Sequence, residues 1–504
     1  MTFSAALSSS LNSEAIRHLI RDDSQEDLCF ALWHPSQGAS RYSGIVHSLI
    51  LPLDGERAVH GNASFCAAYF DRALELAVEK GCGLAFLHSH PAQGWQGMSC
   101  DDLDTETIYA PPTFSATGLP LLGLMAGTDE AWSARFWTRT APRTYERQWC
   151  ETVRIVGERL TVTYDDGQRP RPGFREELTR TVSAWGEDTQ ADLARLRVGV
   201  VGAGSVGSMV AEALARMGVS EVVIMDFDEV KRHNLDRLLH ANAEDAARRR
   251  PKVEVLARGL CQSATASPFQ VIPLEYSVVE EAGYRAALDC DVLFSCVDRP
   301  WPRNLLNAIA YAHLIPVVDG GIHVAVGRTG KLRSADWRAH VVSPTRPCLE
   351  CLGQYDPSEV SLERSGWMDD PTYIQGMAVD NALRHNENVF AFSMSVASFE
   401  IMQFLSLLVI PKGIQSVGPQ HYHFIQAELE TESKGCRPGC LFPTLEAMGD
   451  HAPASFTAHH PVAEAARESR LTVVEDVLTP TKTPSTSLMT RLRDWLSSLL
   501  MCHS

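Results

Sequence analysis

Residues 197–207 read RVGVVGAGSVG, and this stretch decides the fold of the larger part of the chain. The run RVGVV predicts a buried strand, and GAGSVG predicts a glycine turn that opens a helix. Gly202, Gly204 and Gly207 let the backbone approach a phosphate, whose negative charge the helix N-terminus favours. Further buried strands, EVVIMDFD and DVLFSCVD, with helices between them, indicate βαβ units and a mostly parallel sheet in an α/β fold.

Charged residues follow the glycine loop in a fixed order. Asp226 ends the next strand, 24 residues after the loop begins, and is placed to bond ribose hydroxyls. Asn234, Arg237 and Lys252 come next, and such cations suit a triphosphate whose charge grows as pyrophosphate leaves. Asp298 ends the strand DVLFSCVD and can hold Mg²⁺. The glycine loop alone fits NAD as well as ATP, whereas the ordered set favours ATP.

This run resembles the ThiF/MoeB/ubiquitin-activating superfamily. The shared pattern is GxGxxG, D-x-D, N-L-x-R, a lysine, and a strand that ends in aspartate with an arginine after it. The resemblance implies a Rossmann-like domain in which a protein C-terminal carboxylate attacks the α-phosphate of ATP and forms an acyl-adenylate. It also assigns ATP contacts to Arg303 and to Arg180, which lies in the helix before the first strand. Relatives of this kind form dimers, so we expect a homodimer.

A second motif, HSHPAQGWQGMSCDD, occupies residues 88–102. His88 and His90 are two apart on a predicted strand, so both side chains leave the same face. Ser99 fits the N-cap of a helix and Asp102 its first turn. Two imidazoles and a carboxylate leave a fourth position for water, as in catalytic zinc sites. Glu26 precedes an apolar strand, 62 residues before His88, and is a candidate general base.

These residues resemble the JAMM/MPN family of metalloproteases. The family pattern is a glutamate on an early strand, His-x-His-Pro, and Ser-x-x-Asp, which the chain matches position by position. Eight residues separate His90 from Ser99, where seven is more usual in the family. The resemblance implies isopeptidase action at the C-terminal glycine of ubiquitin-like proteins, with Ser99 assisting the oxyanion.

Four of the 13 cysteines have metal-like spacing. Cys348 and Cys351 form CxxC, and Cys436 and Cys440 form CxxxC, with 84 residues between the pairs. Four thiolates in two clusters predict a closed structural zinc site, and they suit a reducing cytosol better than a disulfide framework. The adenylating superfamily commonly has such a site, although its second pair is usually CxxC.

Residues 352–435 contain no cysteine, whereas many ubiquitin-activating enzymes carry a thioester cysteine in this loop. Three acyl acceptors therefore stay open. The adenylate passes directly to a cysteine of a conjugating enzyme, or a hydroxyl such as that of Ser361, Ser365 or Thr372 accepts the acyl group. The third candidate is Cys296, which lies on a strand and fits core packing better.

The 504 residues predict two or three domains. We expect a JAMM/MPN domain over 1–165, an adenylyltransferase domain over 172–445, and a weakly ordered tail over 446–504 with a terminal amphipathic helix. The polar stretch DDGQRPRPGFREE is the expected linker between the first two. The terminal helix, SLMTRLRDWLSSLLM, suits docking on its own domain or on a partner protein.

Composition narrows the partners and the location. The net charge of −17 argues against nucleic acid as the main partner. The N-terminus lacks the pattern of a secretory signal. The most apolar stretch, residues 392–410, contains a glutamate and a glutamine and indicates a buried helix, not a membrane span. We therefore expect a cytoplasmic protein without membrane partners.

Together, the two motifs predict a bifunctional enzyme that resembles proteins of bacterial ubiquitin-like conjugation operons. One half would activate a ubiquitin-like protein with ATP and Mg²⁺. The other would use Zn²⁺ to trim the precursor of that protein or to remove it from targets. The alternative is a sulfur-carrier adenylyltransferase with a carrier-trimming peptidase, for cysteine, thiamine or molybdopterin synthesis. A catalytically dead scaffold and a nicotinamide dehydrogenase are the remaining hypotheses.

Overall fold

The amino-terminal residues form a mixed sheet of nine strands and a separate two-stranded hairpin. The strands are β1 (Thr2–Ser8), β2 (Leu28–Gln37), β3 (Arg41–Ile50), β4 (Arg57–His60), β5 (Asn62–Phe65), β6 (Gly83–Ser89), β7 (Leu121–Ala126), β8 (Trp132–Ala141), β9 (Thr144–Trp149), β10 (Thr152–Val156) and β11 (Leu160–Tyr164). The order across the nine is β11-β10-β1-β3-β2-β6-β7-β8-β9, and β4 pairs with β5. The helices here are α1 (Ser9–Leu19), α2 (Ala67–Glu79) and α3 (Cys100–Thr117). Because β6 and β7 are buried along their whole length, they form the centre of the core.

A second sheet of eight strands follows. Its strands are β12 (Arg197–Val201), β13 (Glu221–Met225), β14 (Gln270–Leu274), β15 (Val292–Ser295), β16 (Val317–Val326), β17 (Leu332–Val342), β18 (Gln420–His423) and β19 (Glu428–Thr431). The helices around it are α4 (Thr179–Trp185), α5 (Glu187–Arg195), α6 (Ser205–Arg216), α7 (Ala243–Ala247), α8 (Lys252–Ser263), α9 (Glu281–Leu288), α10 (Pro300–Ala312), α11 (Pro357–Arg364) and α12 (Phe390–Leu408). The strand order is β14-β13-β12-β15-β16-β17-β18-β19.

The second sheet divides into a parallel and an antiparallel part. From β14 to β16 every neighbouring pair is parallel, and the order reverses direction between β12 and β15. Ligands bind at such a switch point, beyond the carboxyl ends of the strands. From β16 to β19 the pairing is antiparallel, so the sheet is mixed and not mostly parallel as the sequence predicted. The prediction failed there because strands β17 to β19 lack the buried apolar runs of β12 and β15.

The computed structural model describes residues 1–327, 330–370, 375, 388–409, 417–431 and 435–478. Contacts divide the chain into one unit from Met1 to His460 and a second from Pro461 to Ser504. In the second unit the structure describes one helix, α13 (Pro461–Leu478). The predicted terminal amphipathic helix and Thr372 lie outside the described residues, and the predicted domain boundaries stay predictions.

Helix α12 contains most of the apolar stretch that the sequence analysis singled out. It is 19 residues long with a mean hydropathy of 1.4 in its most apolar window, which is sufficient to cross a membrane by length and composition. Within the structure, however, it packs against α6, β16 and β17. Glu400 and Gln403 are fully buried on the packed face. This packing buries one face of the helix, and 39% of its most apolar window is buried.

Buried ion pairs join the two sheets. Asp291, just before β15, accepts hydrogen bonds from Arg41 Nη1 at 2.7 Å and Arg154 Nη1 at 3.3 Å. Arg41 Nη2 also donates to Glu151 Oε1 at 3.0 Å. Arg41, Arg154 and Asp291 have no solvent exposure. Since buried charges persist only when paired, these contacts hold the amino-terminal sheet against the second sheet.

Candidate active sites

The glycine loop joins β12 to α6 at the carboxyl end of the parallel strands. Gly202 has φ of +97°, and a Cβ there would lie 2.4 Å from the carbonyl oxygen of Cys296. A Cβ at Gly207 would lie 1.8 Å from the carbonyl oxygen of Gly202. Only glycine fits these two positions. At Gly204, by contrast, nothing lies within 4 Å of a Cβ, so the loop opens onto free space there.

The start of α6 is suited to an anion. Gly204 is its N-cap and supplies no side-chain hydrogen bond, so the first backbone N–H groups of this helix lack a side-chain cap. Ser205 Oγ is buried and has no hydrogen-bond partner within the described residues. The start of α6 is therefore uncapped beside the open space at Gly204, which is suited to an anion.

Asp226 lies beside the loop, as predicted. Its Oδ2 accepts a hydrogen bond from the backbone N–H of Ala203 at 2.8 Å, and its Oδ1 accepts one from the backbone N–H of Asp228 at 2.7 Å. Burial raises the pKa of Asp226, although the nearby Lys252 partly opposes this effect. The carboxylate thus fixes the loop, and its predicted contact with ribose hydroxyls stays a prediction.

Lys252 begins helix α8 and reaches back to the same place. Its Nζ lies 2.7 Å from Asp228 Oδ2 and 3.9 Å from Asp226 Oδ2. Burial lowers the pKa of Lys252, but the two carboxylates outweigh it and raise the pKa to about 12. The ammonium group is therefore charged at neutral pH and lies beside the phosphate loop, where it can stabilise phosphate oxygens.

Asn234 and Arg237 belong to the turn after β13. The Asn234 side-chain oxygen accepts a hydrogen bond from the backbone N–H of Lys231 at 2.9 Å, so it caps the 3-10 helix Arg232–Asn234. Arg237 Nη1 donates to the carbonyl oxygen of His233 at 2.7 Å and to Asp236 Oδ1 at 2.8 Å. Both side chains are held by their own turn, and their predicted contacts with ATP stay predictions.

Asp298 and Arg303 lie near the carboxyl end of β15. Asp298 is exposed and is one of the carboxylates that raise the pKa of Lys252. Arg303 Nε donates to Asp319 Oδ1 at 3.1 Å, and its Nη2 donates to the carbonyl oxygen of Gly320 at 3.0 Å. The structure thus places Asp298 near Lys252, where a Mg²⁺ ligand is predicted. Arg303 lies on α10, and its side chain is held against β16.

Arg180 lies elsewhere in the chain. It is exposed on α4. Leu178, two residues before it, packs against Gly218, since its side chain would lie 2.8 Å from a Cβ there. Gly218 follows the carboxyl end of α6, about 18 Å along the helix from the phosphate loop. A single arginine side chain does not span that length, so within one chain the structure does not bring Arg180 to the loop.

Cys296 is a poor candidate for the acyl acceptor. Its Sγ lies 3.9 Å from both carboxyl oxygens of Glu400. Burial raises the pKa of the Cys296 thiol far above its ordinary value, and the Glu400 carboxyl group adds to the shift. A thiol that stays protonated is a weak nucleophile. Ser361 and Ser365, by contrast, are exposed at the end of α11.

The four predicted zinc cysteines come together. The sulfur atoms of Cys348, Cys351, Cys436 and Cys440 all lie within 4.8 Å of one another. The backbone N–H of Cys351 donates to Cys348 Sγ at 3.3 Å, and the backbone N–H of Arg437 donates to Cys351 Sγ at 3.4 Å. Such donors favour thiolates, and four sulfurs at this spacing fit a tetrahedral ion. The cluster can therefore hold Zn²⁺.

The histidine motif at the end of β6 also forms a compact group. Asp102 Oδ1 lies 3.1 Å from His88 Nε2, and its Oδ2 lies 3.2 Å from His90 Nε2. Burial raises the pKa of Asp102, but hydrogen bonds from the two histidines outweigh it and lower the pKa well below its ordinary value. His88 Nδ1 is buried without a hydrogen-bond partner within the described residues. Two imidazoles and a carboxylate in this arrangement fit a metal ion with one open position.

Ser99 and Asp102 form a reciprocal cap at the start of α3. The backbone N–H of Ser99 donates to Asp102 Oδ2 at 2.7 Å, and the backbone N–H of Asp102 donates to Ser99 Oγ at 3.1 Å. This is the predicted N-cap, and it fixes the carboxylate beside the histidines. Because Ser99 Oγ accepts this bond, its hydroxyl proton is available to donate to another oxygen.

The pairing of β2 with β6 does not determine the face on which Glu26 lies. The two strands are antiparallel, and Asp27 lies opposite Ser89, whose backbone N–H donates to the Asp27 carbonyl at 3.0 Å. Glu26 lies two residues before β2 begins at Leu28, so the strand register does not extend to it. The role of Glu26 as general base stays a prediction.

One group of metal-ligating residues was missed. Asp336, His421 and His423 bring their donor atoms within 4.8 Å of one another. The signal was present in the sequence as HYH at 421–423, which repeats the histidine spacing of HSH at 88–90. The partner aspartate is 85 residues upstream of His421, a separation that no local pattern bridges.

Comparison with known proteins relates the second sheet to a known family. Residues 177–425 match the model of the ThiF family, within the 172–445 predicted for this domain. The SAMP-activating enzyme E1 of Haloferax volcanii is 30% identical over 168 residues, which cover 33% of this chain and 57% of that protein. The molybdopterin-synthase adenylyltransferase of Escherichia coli K12 is 30% identical over 169 residues, covering 33% of this chain and 62% of that protein. Residues 177–425, just under half of the chain, are therefore similar to the ThiF family.

Another curated relative and a solved structure have lower sequence identity. The sulfur carrier protein ThiS adenylyltransferase of Bacillus subtilis is 29% identical over 178 residues, or 35% of this chain and 49% of that protein. Among solved structures, E. coli MccB with ATP has a TM-score of 0.41 at 15% identity, over 53% of this chain and 75% of that chain. This chain thus spans about half to three fifths of the length of the curated relatives named here.

Proposed function

We propose that this chain is an adenylyltransferase that uses ATP and Mg²⁺ to activate the C-terminal carboxylate of a ubiquitin-like protein. The observation that carries the proposal is the junction of the open glycine loop with Asp226 and the charged Lys252 at the switch point of the sheet. The ThiF-family match and the activating enzymes among the relatives support it.

The residues divide the chemistry among them. Backbone N–H groups at the start of α6 bind phosphate oxygens, and Asp226 bonds the ribose. The carboxylate oxygen of the incoming tail forms a bond to the α-phosphorus as the bond to the pyrophosphate oxygen breaks. Lys252 turns from Asp228 to the phosphates and stabilises the charge of the leaving pyrophosphate. Mg²⁺, held through Asp298, supplies further charge neutralisation when bound.

The same chain carries a proposed second activity, a zinc-dependent isopeptidase. His88, His90 and Asp102 would hold Zn²⁺, which when bound activates water and polarises a carbonyl. Glu26 would take the proton of the attacking water and pass it to the leaving amine. Ser99 would donate its hydroxyl proton to the developing oxyanion. The ligand geometry supports this assignment.

A second candidate function differs from the first in the carrier protein that is activated. Two relatives are named for molybdopterin synthase and for the sulfur carrier ThiS, so the carrier in question can be a sulfur carrier. The peptidase half would then expose the carrier terminus before activation. A thiocarboxylate product indicates this pathway, whereas transfer to a conjugating enzyme or to a hydroxyl such as that of Ser361 indicates ligation.

ATP–pyrophosphate exchange with a purified carrier protein tests the activation step. We expect carrier-dependent exchange in the wild type, its loss in Asp298→Ala, and its retention in Glu26→Gln. Cleavage of a carrier extended beyond its terminal glycine should show the reverse pattern. Absence of exchange with ubiquitin-like and sulfur-carrier proteins alike would refute the proposal. Light scattering of the intact protein tests the proposed homodimer, and fractionation tests its cytoplasmic location.

A further inference from the structure

A third group of metal-ligating side chains lies on strands β17 and β18, apart from the two sites described above. Asp336 is on β17, and His421 and His423 are on β18. One donor atom from each residue lies within 4.8 Å of the others. His423 Nδ1 is 2.8 Å from Asp336 Oδ1, and the centres of the two imidazole rings are 4.2 Å apart.

The backbone pairing produces this group. Strands β17 and β18 are antiparallel, with Asp336 directly opposite His423 and Arg338 opposite His421. Directly opposite residues share a sheet face, and so do residues two apart on one strand. The three ligands therefore project from one face of two adjacent, hydrogen-bonded strands. Flexible side chains need move by only about 1 Å to reach the donor spacing of a tetrahedral site.

We propose that Asp336, His421 and His423 bind a divalent cation of the Zn²⁺ class. Two imidazole nitrogens and one carboxylate oxygen are the ligand set that suits zinc, and three protein ligands leave one position for water. All three residues are half-buried, so the position stays accessible to solvent. Glu430 Oε2 lies 3.6 Å from His423 Nε2, where it can orient the ring as carboxylates do behind metal-bound histidines.

The position of the site indicates its role. Strand β18 continues into β19, and the β18–β19 hairpin borders the sheet only through β17. A cation shared by β17 and β18 therefore anchors this hairpin. Arg338, two residues from Asp336 on the same face, lies opposite Gly321, and a Cβ on Gly321 would be 3.4 Å from both Arg303 Nη2 and Arg338 Nε. The cation thus lies next to the row of the sheet that the Arg303 side chain of α10 contacts.

Metal content of the purified full-length protein tests the proposal. After equilibration with micromolar Zn²⁺ and removal of the excess, the wild type should hold one more zinc per chain than the double variant His421→Ala/His423→Ala. His60→Ala is the control, because His60 is exposed on β4 of the separate hairpin and its donor atoms belong to none of the three groups of metal-ligating residues. This control should keep the zinc content of the wild type.

Two further measurements separate metal loss from misfolding. Asp336→Asn keeps an acceptor for His423 but removes the charged ligand, and it should also lose one zinc while its near-ultraviolet circular dichroism stays unchanged. In hydrogen exchange, Zn²⁺ should slow the backbone amides of Gln420–His423 and Glu428–Thr431 in the wild type but not in the double variant. Equal zinc content in wild type and double variant, or hairpin exchange that does not respond to Zn²⁺, overturns the proposal.

Discussion

Replacing Asp291 with alanine should destabilise the protein strongly, because this carboxylate is the shared acceptor at the junction of the two sheets. It accepts hydrogen bonds from Arg41 and Arg154, and Oδ2 accepts one from the backbone N–H of Arg197 at 2.9 Å. Asp291→Ala leaves Arg154 without this partner, while its Nε and Nη2 already lack one within the described residues. Removing one member of a buried ion pair costs about 3–5 kcal/mol.

Urea unfolding measured by tryptophan fluorescence checks this magnitude. Tryptophans such as Trp33 and Trp301 report on both sheets. We expect Asp291→Ala to lower the free energy of unfolding by about 3–5 kcal/mol and to make the two sheets unfold in separate transitions. The control is Asp188→Ala, which breaks an exposed ion pair with Arg171 and should cost under about 1 kcal/mol.

Asp291 should also make the stability of the folded protein depend on pH in a defined direction. Burial raises the pKa of Asp291, but Arg41 and Arg154 outweigh it and hold the pKa well below its ordinary value. A depressed carboxyl pKa contributes stability above the unfolded-state value of about 4 and loses it as the pH falls below that value. Stability should therefore drop more steeply below pH 4 in the wild type than in Asp291→Ala. The reasoning would be refuted if Asp291→Ala lowered the free energy of unfolding no more than Asp188→Ala does. It would also be refuted if the stability of Asp291→Ala and of the wild type fell equally below pH 4.

Three other perturbations have defined outcomes. Burial raises the pKa of Glu363 to about 7, so stability should fall as the pH rises between about 4.5 and 7, where the unfolded chain releases a proton that the folded chain keeps. Glu363→Gln should flatten this dependence and raise the free energy of unfolding at pH 8 by up to about 3 kcal/mol, measured by urea unfolding. An unchanged dependence of that free energy on pH contradicts the prediction. Gly207→Ala should abolish ATP binding in calorimetry, because its Cβ would lie 1.8 Å from the Gly202 carbonyl oxygen; binding of wild-type strength contradicts this. Cys440→Ser should lose one zinc per chain by elemental analysis and lower the unfolding midpoint; full zinc content contradicts it.

Local patterns predicted the parts of both sites that lie close together in sequence. The loop from Gly202 to Gly207 and the cap formed by Ser99 and Asp102 each lie within a few residues, where glycine geometry and helix capping act directly. The cysteine pairs were predictable for a different reason, since CxxC spacing places two thiols on one ion. These features require no knowledge of which strands become neighbours.

What the sequence did not predict depends on strand pairing and on contacts between distant segments. The antiparallel strands β17 to β19 alternate polar with apolar residues, so they lack the apolar run that marks β12. Asp336 joins His421 only because β18 pairs with β17. Arg41 meets Asp291 across 250 residues, and neither belongs to a motif. Periodicity reports which face is buried, but it does not report the surface against which that face packs.

The relative placement of the two proposed active sites constrains how they share a substrate. Arg41 begins β3, and His88 lies near the far end of the adjacent strands, about 30 Å along the sheet. Asp291 precedes β15, whereas the glycine loop lies at the carboxyl ends of its neighbours, about 17 Å away along a five-residue strand. Each site therefore lies away from the Arg41–Asp291 junction, at the far end of its own sheet.

Because each site lies at the far end of its own sheet, we expect a trimmed carrier to dissociate from the peptidase site before it is activated. Glu26→Gln and Asp298→Ala, each lacking one proposed activity, should then complement one another when they are mixed with an extended carrier precursor and ATP. Adenylate formation, measured by pyrophosphate release, should approach half of the wild-type rate per chain, because half of the chains supply each step. Failure of the mixture, when each variant retains its remaining activity on the corresponding isolated substrate, would show that the carrier passes between the sites without release.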